Sequence, residues 1–307
     1  MKIIYLGTPD FAVNPLKTIV ESGKHQVLAV VTNNDKPVGR KRILTACPVK
    51  QYALSQGLNV LQYDKIRVEG VDDIKALNPD IMITCAFGQI LSQELIDIPK
   101  FGVINIHASL LPKYRGASPI HYAILNGETK TGVTIMQTDC GIDTGDILIK
   151  SEPVDIDKNE TCGELFNKLS LVGANMILDA LDKISLGEIT PIKQNEEEAT
   201  YTKIINKSDA FIDFNDESIN VVNKIRAFNP SPVAYCSFQG EPLKIFSAVN
   251  SNGKGEVCEI LDCEKNLEIA CKNGSIIIKS LQKAGGKQMS SQDFLRGVKL
   301  KKGELFR

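Results

Sequence analysis

Three side chains in the middle of the chain have the types and the spacing to do chemistry. Asn105 and His107 interrupt the apolar run Val103-Ile104-Asn105-Ile106-His107. In a strand, residues two apart point to the same side, so the amide and the imidazole stand next to each other. An amide N–H donates to an oxygen that is gaining charge, and an imidazole moves protons near neutral pH. A second apolar run, Gly132-Val133-Thr134-Ile135-Met136, leads into the polar loop Asp139-Cys140-Gly141-Ile142-Asp143-Thr144-Gly145-Asp146. Asp143 lies between glycines at i−2 and i+2, in a tight loop able to aim a carboxylate back at the imidazole. Singly, the His reads as a core histidine and the Asp as a turn former. Together with the Asn they read as a site.

The elements around this segment alternate. Residues 2–6 form an apolar strand, residues 10–22 a helix closed by Gly23, and residues 25–32 a second strand. Helices are expected over 48–56, 71–77 and 162–184, and a further buried strand over 80–85. This order predicts an open parallel αβ sheet, in which ligands bind beyond the carboxyl ends of the strands. Residues 86–90, which follow the strand at 80–85, therefore belong beside His107. Backbone groups at Phe87, Gly88 and Ile90 suit the gripping of a flat heterocycle; the alternative is an ordinary β-to-α turn. The turn after the first strand carries Gly7 alone, without the glycine fingerprint of a dinucleotide site. That argues against a nicotinamide dehydrogenase.

Residues 33–50 read as a long irregular loop bearing Lys36, Arg40, Lys41, Arg42 and Lys50. It is either a solvated connection or a basic arm for phosphate. The polar stretch 191–206, with the acidic run Glu196 to Glu198, reads as a solvated linker between a catalytic domain over 1–190 and a second domain over 207–307. A helix is expected within 213–228. Beyond Pro232 come short strands and turns, the pattern of an OB-like antiparallel barrel. From Lys279 onward there are eight basic side chains against two acidic ones, a local excess suited to an RNA backbone.

The chain has 307 residues, enough for two domains. It is 43% hydrophobic and 24% charged, the balance of an ordinary globular protein, and its net charge of −1 gives it no overall polyanion-binding field. The eight cysteines show no CxxC pair and no zinc-type spacing. No metal site is expected. No run reaches transmembrane length, so no membrane partner is expected either.

Several motifs carry a resemblance to a known family. Asn105-Ile106-His107, Ser109-Leu110-Leu111-Pro112, Tyr114-Arg115-Gly116-Ala117 and Gly141-Ile142-Asp143-Thr144-Gly145-Asp146 resemble the 10-formyltetrahydrofolate-dependent formyltransferases. Gly7-Thr8-Pro9-Asp10-Phe11-Ala12 and Arg226-Ala227-Phe228-Asn229-Pro230 are similar to the branch that acts on initiator methionyl-tRNA, and the likeness covers essentially the whole chain. The resemblance implies formyl transfer to an amine, with Asn105, His107 and Asp143 as catalytic residues. It implies 10-formyltetrahydrofolate as donor, with the folate bordered by Phe87, Gly88, Ile90, Ser109, Leu110, Leu111, Pro112 and Asp139. It implies tRNA contact by Arg40, Lys41 and Arg42, and a role in translation initiation. A monomer in a bacterial cytoplasm is expected. Formyl transfer needs a neutral amine, a donor for the oxyanion and a proton for the leaving nitrogen. Which of His107 and Asp143 takes the amine proton stays open in the sequence. The competing readings are the same chemistry on an amino sugar nucleotide or a purine precursor, and a non-catalytic folate- or RNA-binding protein.

Overall fold

Apolar side chains fill residues 3–6, 29–31, 81–83 and 103–104 without alternation, as strands buried on both faces must. The computed structural model describes residues 1–39 and 41–307 and places these runs in one seven-stranded sheet. Its strands are β1 (Lys2–Gly7), β2 (Gln26–Thr32), β3 (Val60–Gln62), β4 (Ile81–Cys85), β5 (Val103–His107), β6 (Thr134–Gln137) and β7 (Ile147–Lys150). The spatial order is β7-β6-β5-β4-β1-β2-β3. The first five strands pair in parallel, as expected. The edge departs from the purely parallel sheet, because β6 runs antiparallel to β5 and β7 antiparallel to β6. A parallel neighbour needs a crossover of a dozen or more residues, and the short loop between β6 and β7 allows only the antiparallel return.

The strand order reverses between β1 and β4, which creates a crevice at their carboxyl ends. Gly7 keeps it narrow. A Cβ there would stand 2.7 Å from the Ala12 Cβ and 3.1 Å from the Cys85 carbonyl oxygen. The Asn33 amide donates to the Phe87 carbonyl at 2.9 Å, and the Thr8 hydroxyl donates to it at 3.4 Å. The ends of β1, β2 and β4 are thereby tied together.

The chain divides into two compact units. The first comprises residues 1–119, 131–154 and 166–203; the second comprises 120–130, 155–165 and 204–307. Within the first, residues 33–50 are more ordered than an irregular loop: Lys36–Val38 and Ile43–Thr45 pair as a hairpin, and a helix starts at Pro48. Arg40 lies outside the described residues. The helix Cys162–Leu186 buries Leu169, Ala174, Ile177 and Leu181 at helical spacing. Leu171 points outward, 54% exposed, despite its apolar character.

The second unit contains an antiparallel sheet in the order Tyr235–Phe238, Glu241–Ser251, Ser275–Gln282, Leu267–Ala270, Ile260–Asp262, consistent with an OB-like arrangement. Gln239 and Gly240 both have positive φ, the geometry of a two-residue hairpin turn. In Glu241–Ser251 burial alternates through Leu243 and Ile245, then changes phase to Ala248 at a register shift. The helix Ser218–Ala227 adds Val221, Val222 and Ile225 to this unit's core. Of the eight basic residues from Lys279 on, three have local partners. Arg296 pairs with Asp293, Lys301 with Glu304, and Lys283 lies over the Phe294 ring. The eight cysteines are free, and burial pushes the thiols of Cys85, Cys162, Cys236 and Cys271 up to about 12. Among the described residues no helix is long and apolar enough to cross a membrane.

Gly173 of the long helix faces β5, where a Cβ would come 2.9 Å from Ile106 Cγ2. Gly173→Val is expected to push the helix off the strand that carries Asn105 and His107, at a cost of about 1–3 kcal/mol. A lowered urea midpoint would register it; an unchanged midpoint would show that this contact is soft.

Candidate active site

Side-chain alternation along β5 puts Asn105 and His107 on one face. The loop after β6 then folds back over that face. Thr138 N donates to the Val103 carbonyl at 2.7 Å, and five residues later Asp143 meets both side chains. Asn105 Nδ2 donates to Asp143 Oδ1 at 3.2 Å, and His107 Nδ1 stands 3.5 Å from Asp143 Oδ2. The Gly116 N–H donates to Oδ2 at 2.8 Å. The carboxylate is therefore met by two side chains of β5 and by the backbone at Gly116.

Each partner is held from behind. A carboxylate only accepts, so Nδ2 is the Asn105 atom facing Asp143, and the Thr84 hydroxyl meets Asn105 Oδ1 at 3.0 Å. One amide hydrogen is committed to Asp143; the other is available to an incoming oxygen. His107 Nε2 lies 2.9 Å from the Tyr114 carbonyl oxygen. A carbonyl cannot donate, so Nε2 carries a hydrogen, and in the neutral tautomer Nδ1 would present its lone pair to Asp143. Two acceptors face each other across that 3.5 Å gap, and one proton between them satisfies both.

Asp143 has φ +54°, in the left-handed region that Asp tolerates better than most residues but that still costs about 1 kcal/mol. The glycines beside it serve close approach. A Cβ at Gly145 would overlap the Gln137 carbonyl oxygen, and one at Gly141 the Thr144 hydroxyl. Asp139 braces the outer half of the loop, accepting from Thr144 Oγ1 at 2.8 and 2.9 Å and from Gly141 N at 3.0 Å.

The structure brings Asn105, His107 and Asp143 together; the other expected site residues differ in how much of them is open to a ligand. Gly88 and Ile90 are exposed beyond β4, whose Thr84 supports Asn105. Gly88 has φ +77°, and a Cβ there would meet only the Asn33 amide, at 3.7 Å. Ile90 is 71% exposed, and Ile142 on the opposing loop 68%. Open backbone with exposed aliphatic side chains fits a flat, partly apolar ring. Phe87, in contrast, turns its ring into the core, and its carbonyl is taken by Asn33. Ser109 and Leu111 are fully buried. Ser109 Oγ donates to the Lys113 carbonyl at 2.6 Å, and Leu111 packs with Met136 and Ile147. These side chains shape the loop at 109–113, while Leu110 stays half-buried. Lys41 and Arg42 sit exposed at the hairpin turn.

Sequence reasoning missed the residues behind this cluster. Arg115 is fully buried. Its Nη1 and Nη2 donate to the two Glu196 carboxylate oxygens at 2.9 and 2.8 Å, Nη1 also to the Tyr201 hydroxyl at 2.9 Å, and Nε to Gln194 Oε1 at 3.0 Å. Tyr201–Thr202 pairs in parallel with Arg115–Gly116. The stretch read as solvated linker is thus a strap across the site. All three glutamates of the run are exposed, Glu196 at 67%, but Glu196 also closes over a buried guanidinium and neutralises it. Hydrogen bonding from Arg115 holds the Glu196 carboxyl below the usual range, and Glu196 raises the guanidinium in turn. A buried cation leaves no mark on the sequence. The one available signal was Arg115 between Tyr114 and Gly116, in a motif read only for its family resemblance. Among the described residues, no group of three or more His, Cys, Asp or Glu could hold a metal ion.

Comparison with known proteins agrees with this architecture. The family described as "Formyl transferase" matches residues 1–181, and "Formyl transferase, C-terminal domain" matches residues 204–299. A methionyl-tRNA formyltransferase of Citrifermentans bemidjiense is 42% identical over 308 residues, 99% of this chain and 96% of that protein. One of Bacillus subtilis (strain 168) is 42% identical over 309 residues, 99% of this chain and 97% of that protein. Among solved structures, an N-formyltransferase from Helicobacter canadensis in complex with folinic acid and dTDP-3-aminofucose aligns at a TM-score of 0.70. It is 25% identical and covers 92% of this chain and 99% of that one.

The Arg115–Glu196 pair sets a pH dependence. The folded-state pKa of Glu196 lies below its unfolded value, so the pairing contributes stability above about pH 4.3 and loses it as the pH falls through the folded value. Glu196→Gln is expected to melt below the wild type at neutral pH, and the two melting curves should converge in acid. A gap that persists unchanged into acid would mean that the charge on Glu196 does not stabilise the strap.

Proposed function

The chain belongs to the formyl transferase family, and from that premise we propose that it transfers a formyl group from 10-formyltetrahydrofolate to the free amino group of initiator methionyl-tRNA. The observation that carries the chemistry is Asp143 set between Asn105 and His107, its two oxygens 3.2 Å from the amide nitrogen and 3.5 Å from Nδ1. The bound donor supplies the formyl carbon. Asn105 donates its remaining amide hydrogen to the formyl oxygen as negative charge gathers there. The edge between His107 Nδ1 and Asp143 Oδ2 takes the proton released by the attacking amine and returns one to the departing nitrogen. Tyr114's carbonyl keeps the imidazole in the tautomer that this exchange requires.

In this reading Gly88, Ile90 and the loop at 109–113 border the folate, with Phe87 and Asp139 shaping the walls. Catalysis lies with residues 1–190, completed by the strap that runs to Thr202, and residues 207–307 bind tRNA. Arg40, Lys41 and Arg42 meet phosphate at the acceptor end. The protein works as a monomer in the bacterial cytoplasm, in translation initiation. An amino sugar nucleotide is the second acceptor to test, because the Helicobacter canadensis structure holds one. Relatives at 42% identity over nearly the full length favour the tRNA.

Formyl transfer to charged initiator methionyl-tRNA, assayed beside elongator methionyl-tRNA and an amino sugar nucleotide, tests the substrate. Product on the sugar alone would remove the tRNA reading and leave the chemistry. His107→Ala and Asp143→Ala should each lower kcat by about 10²-fold or more with the fold retained; normal turnover by either would refute the site. Replacing Arg40, Lys41 and Arg42 by Ala should raise KM for tRNA, lower its salt dependence by roughly one unit of log–log slope per lost phosphate contact, and leave donor binding alone. Equal loss toward both substrates would count against the arm.

A further inference from the structure

One side chain of the strap reaches into the catalytic loop itself. Gln194 Nε2 donates to the carbonyl oxygens of Asp143 at 2.8 Å and Gly145 at 2.7 Å. Its Oε1 accepts from Arg115 Nε at 3.0 Å. A primary amide has two hydrogens and one carbonyl oxygen, so its donors and its acceptor are all engaged, and its orientation is determined. Arg115 cannot drift, because it is buried and its other nitrogens are held by Glu196 and Tyr201. The anchored guanidinium therefore fixes the amide, and the amide fixes two carbonyls of the loop.

Those two carbonyls flank the turn that aims the carboxylate. Asp143 sits at φ +54°, and its side chain must meet Asn105 Nδ2, Gly116 N and His107 Nδ1 at once. Asp139 braces the other side of the loop through Thr144. We propose that Gln194 is a positioning residue, which holds the 143–145 backbone so that Asp143 faces Asn105 and His107. The kinetic part of this inference rests on the formyl-transfer reading; the geometric part stands without it.

Gln194→Glu separates positioning from simple packing. The variant keeps the size of the side chain and an acceptor for Arg115, but replaces both loop donors with an oxygen that repels the carbonyls. Expected is a fall in kcat of about 10- to 100-fold, the scale of an ångström-level misplacement. KM for the folate donor should stay within about twofold, and the melting temperature should not fall. A measurement without turnover runs beside it: the ¹H–¹⁵N signals of the Gly116 amide and the Asn105 side chain, both donors to the Asp143 carboxylate, should move. Normal kcat, unmoved Gly116 and Asn105 signals, or a loss of kcat matched by loss of folded protein would each overturn the proposal. A wild-type protein that formylates no amine would refute the functional reading, and the two amide signals would then decide the positioning alone.

Discussion

A guanidinium without water must be given partners, and this requirement organises the site. Arg115 is fully buried at the point where the chain turns beneath His107. Desolvating an uncompensated cation is prohibitive. The fold answers with a bidentate carboxylate, a phenol and an amide, all drawn from one stretch of eight residues, 194–201. Once that stretch is bound to Arg115, its backbone pairs with Arg115–Gly116, and the Gly116 N–H is presented to Asp143. A buried charge placed for no evident packing reason thus explains why a polar, apparently dispensable segment lies where it does.

The candidate site is built on shared acceptors. Asp143 offers two oxygens, one to Asn105 and the other to Gly116 and His107. Fixing Asp143 therefore fixes the orientation of the amide and the direction of the imidazole together. The Tyr114 carbonyl and the Thr84 hydroxyl complete the constraint from the far sides. Thr84 lies on the neighbouring strand and Tyr114 beside the buried Arg115.

Much of this was legible before any coordinates. Strict spacing of two along β5 put Asn105 and His107 on one face, and the glycines around Asp143 signalled a close return. The parallel core strands followed from their unbroken apolar runs. What was not legible depended on distance in the chain. Glu196 and Glu197 are identical in type and both exposed, yet only Glu196 comes opposite the buried Arg115 and pairs with it. Leu171 satisfied the helical period yet lies outside the contact. The antiparallel edge followed from a connection length that hydrophobic pattern does not encode, and the hairpin at 36–45 from pairing between segments too short to show a period.

The strap also has a consequence for assembly in time. A chain emerging from the ribosome presents Asn105, His107 and Asp143 well before Gln194 and Glu196 have been made. Amino-terminal units begin to fold during synthesis, so the large sheet can form while Arg115 still lacks its counter-charge and the loop at 139–146 lacks its inner brace. The candidate site is therefore among the last parts of its own unit to be completed. It closes only once about two hundred residues have been polymerised, when the largest segment of the second unit, residues 204–307, is still to come.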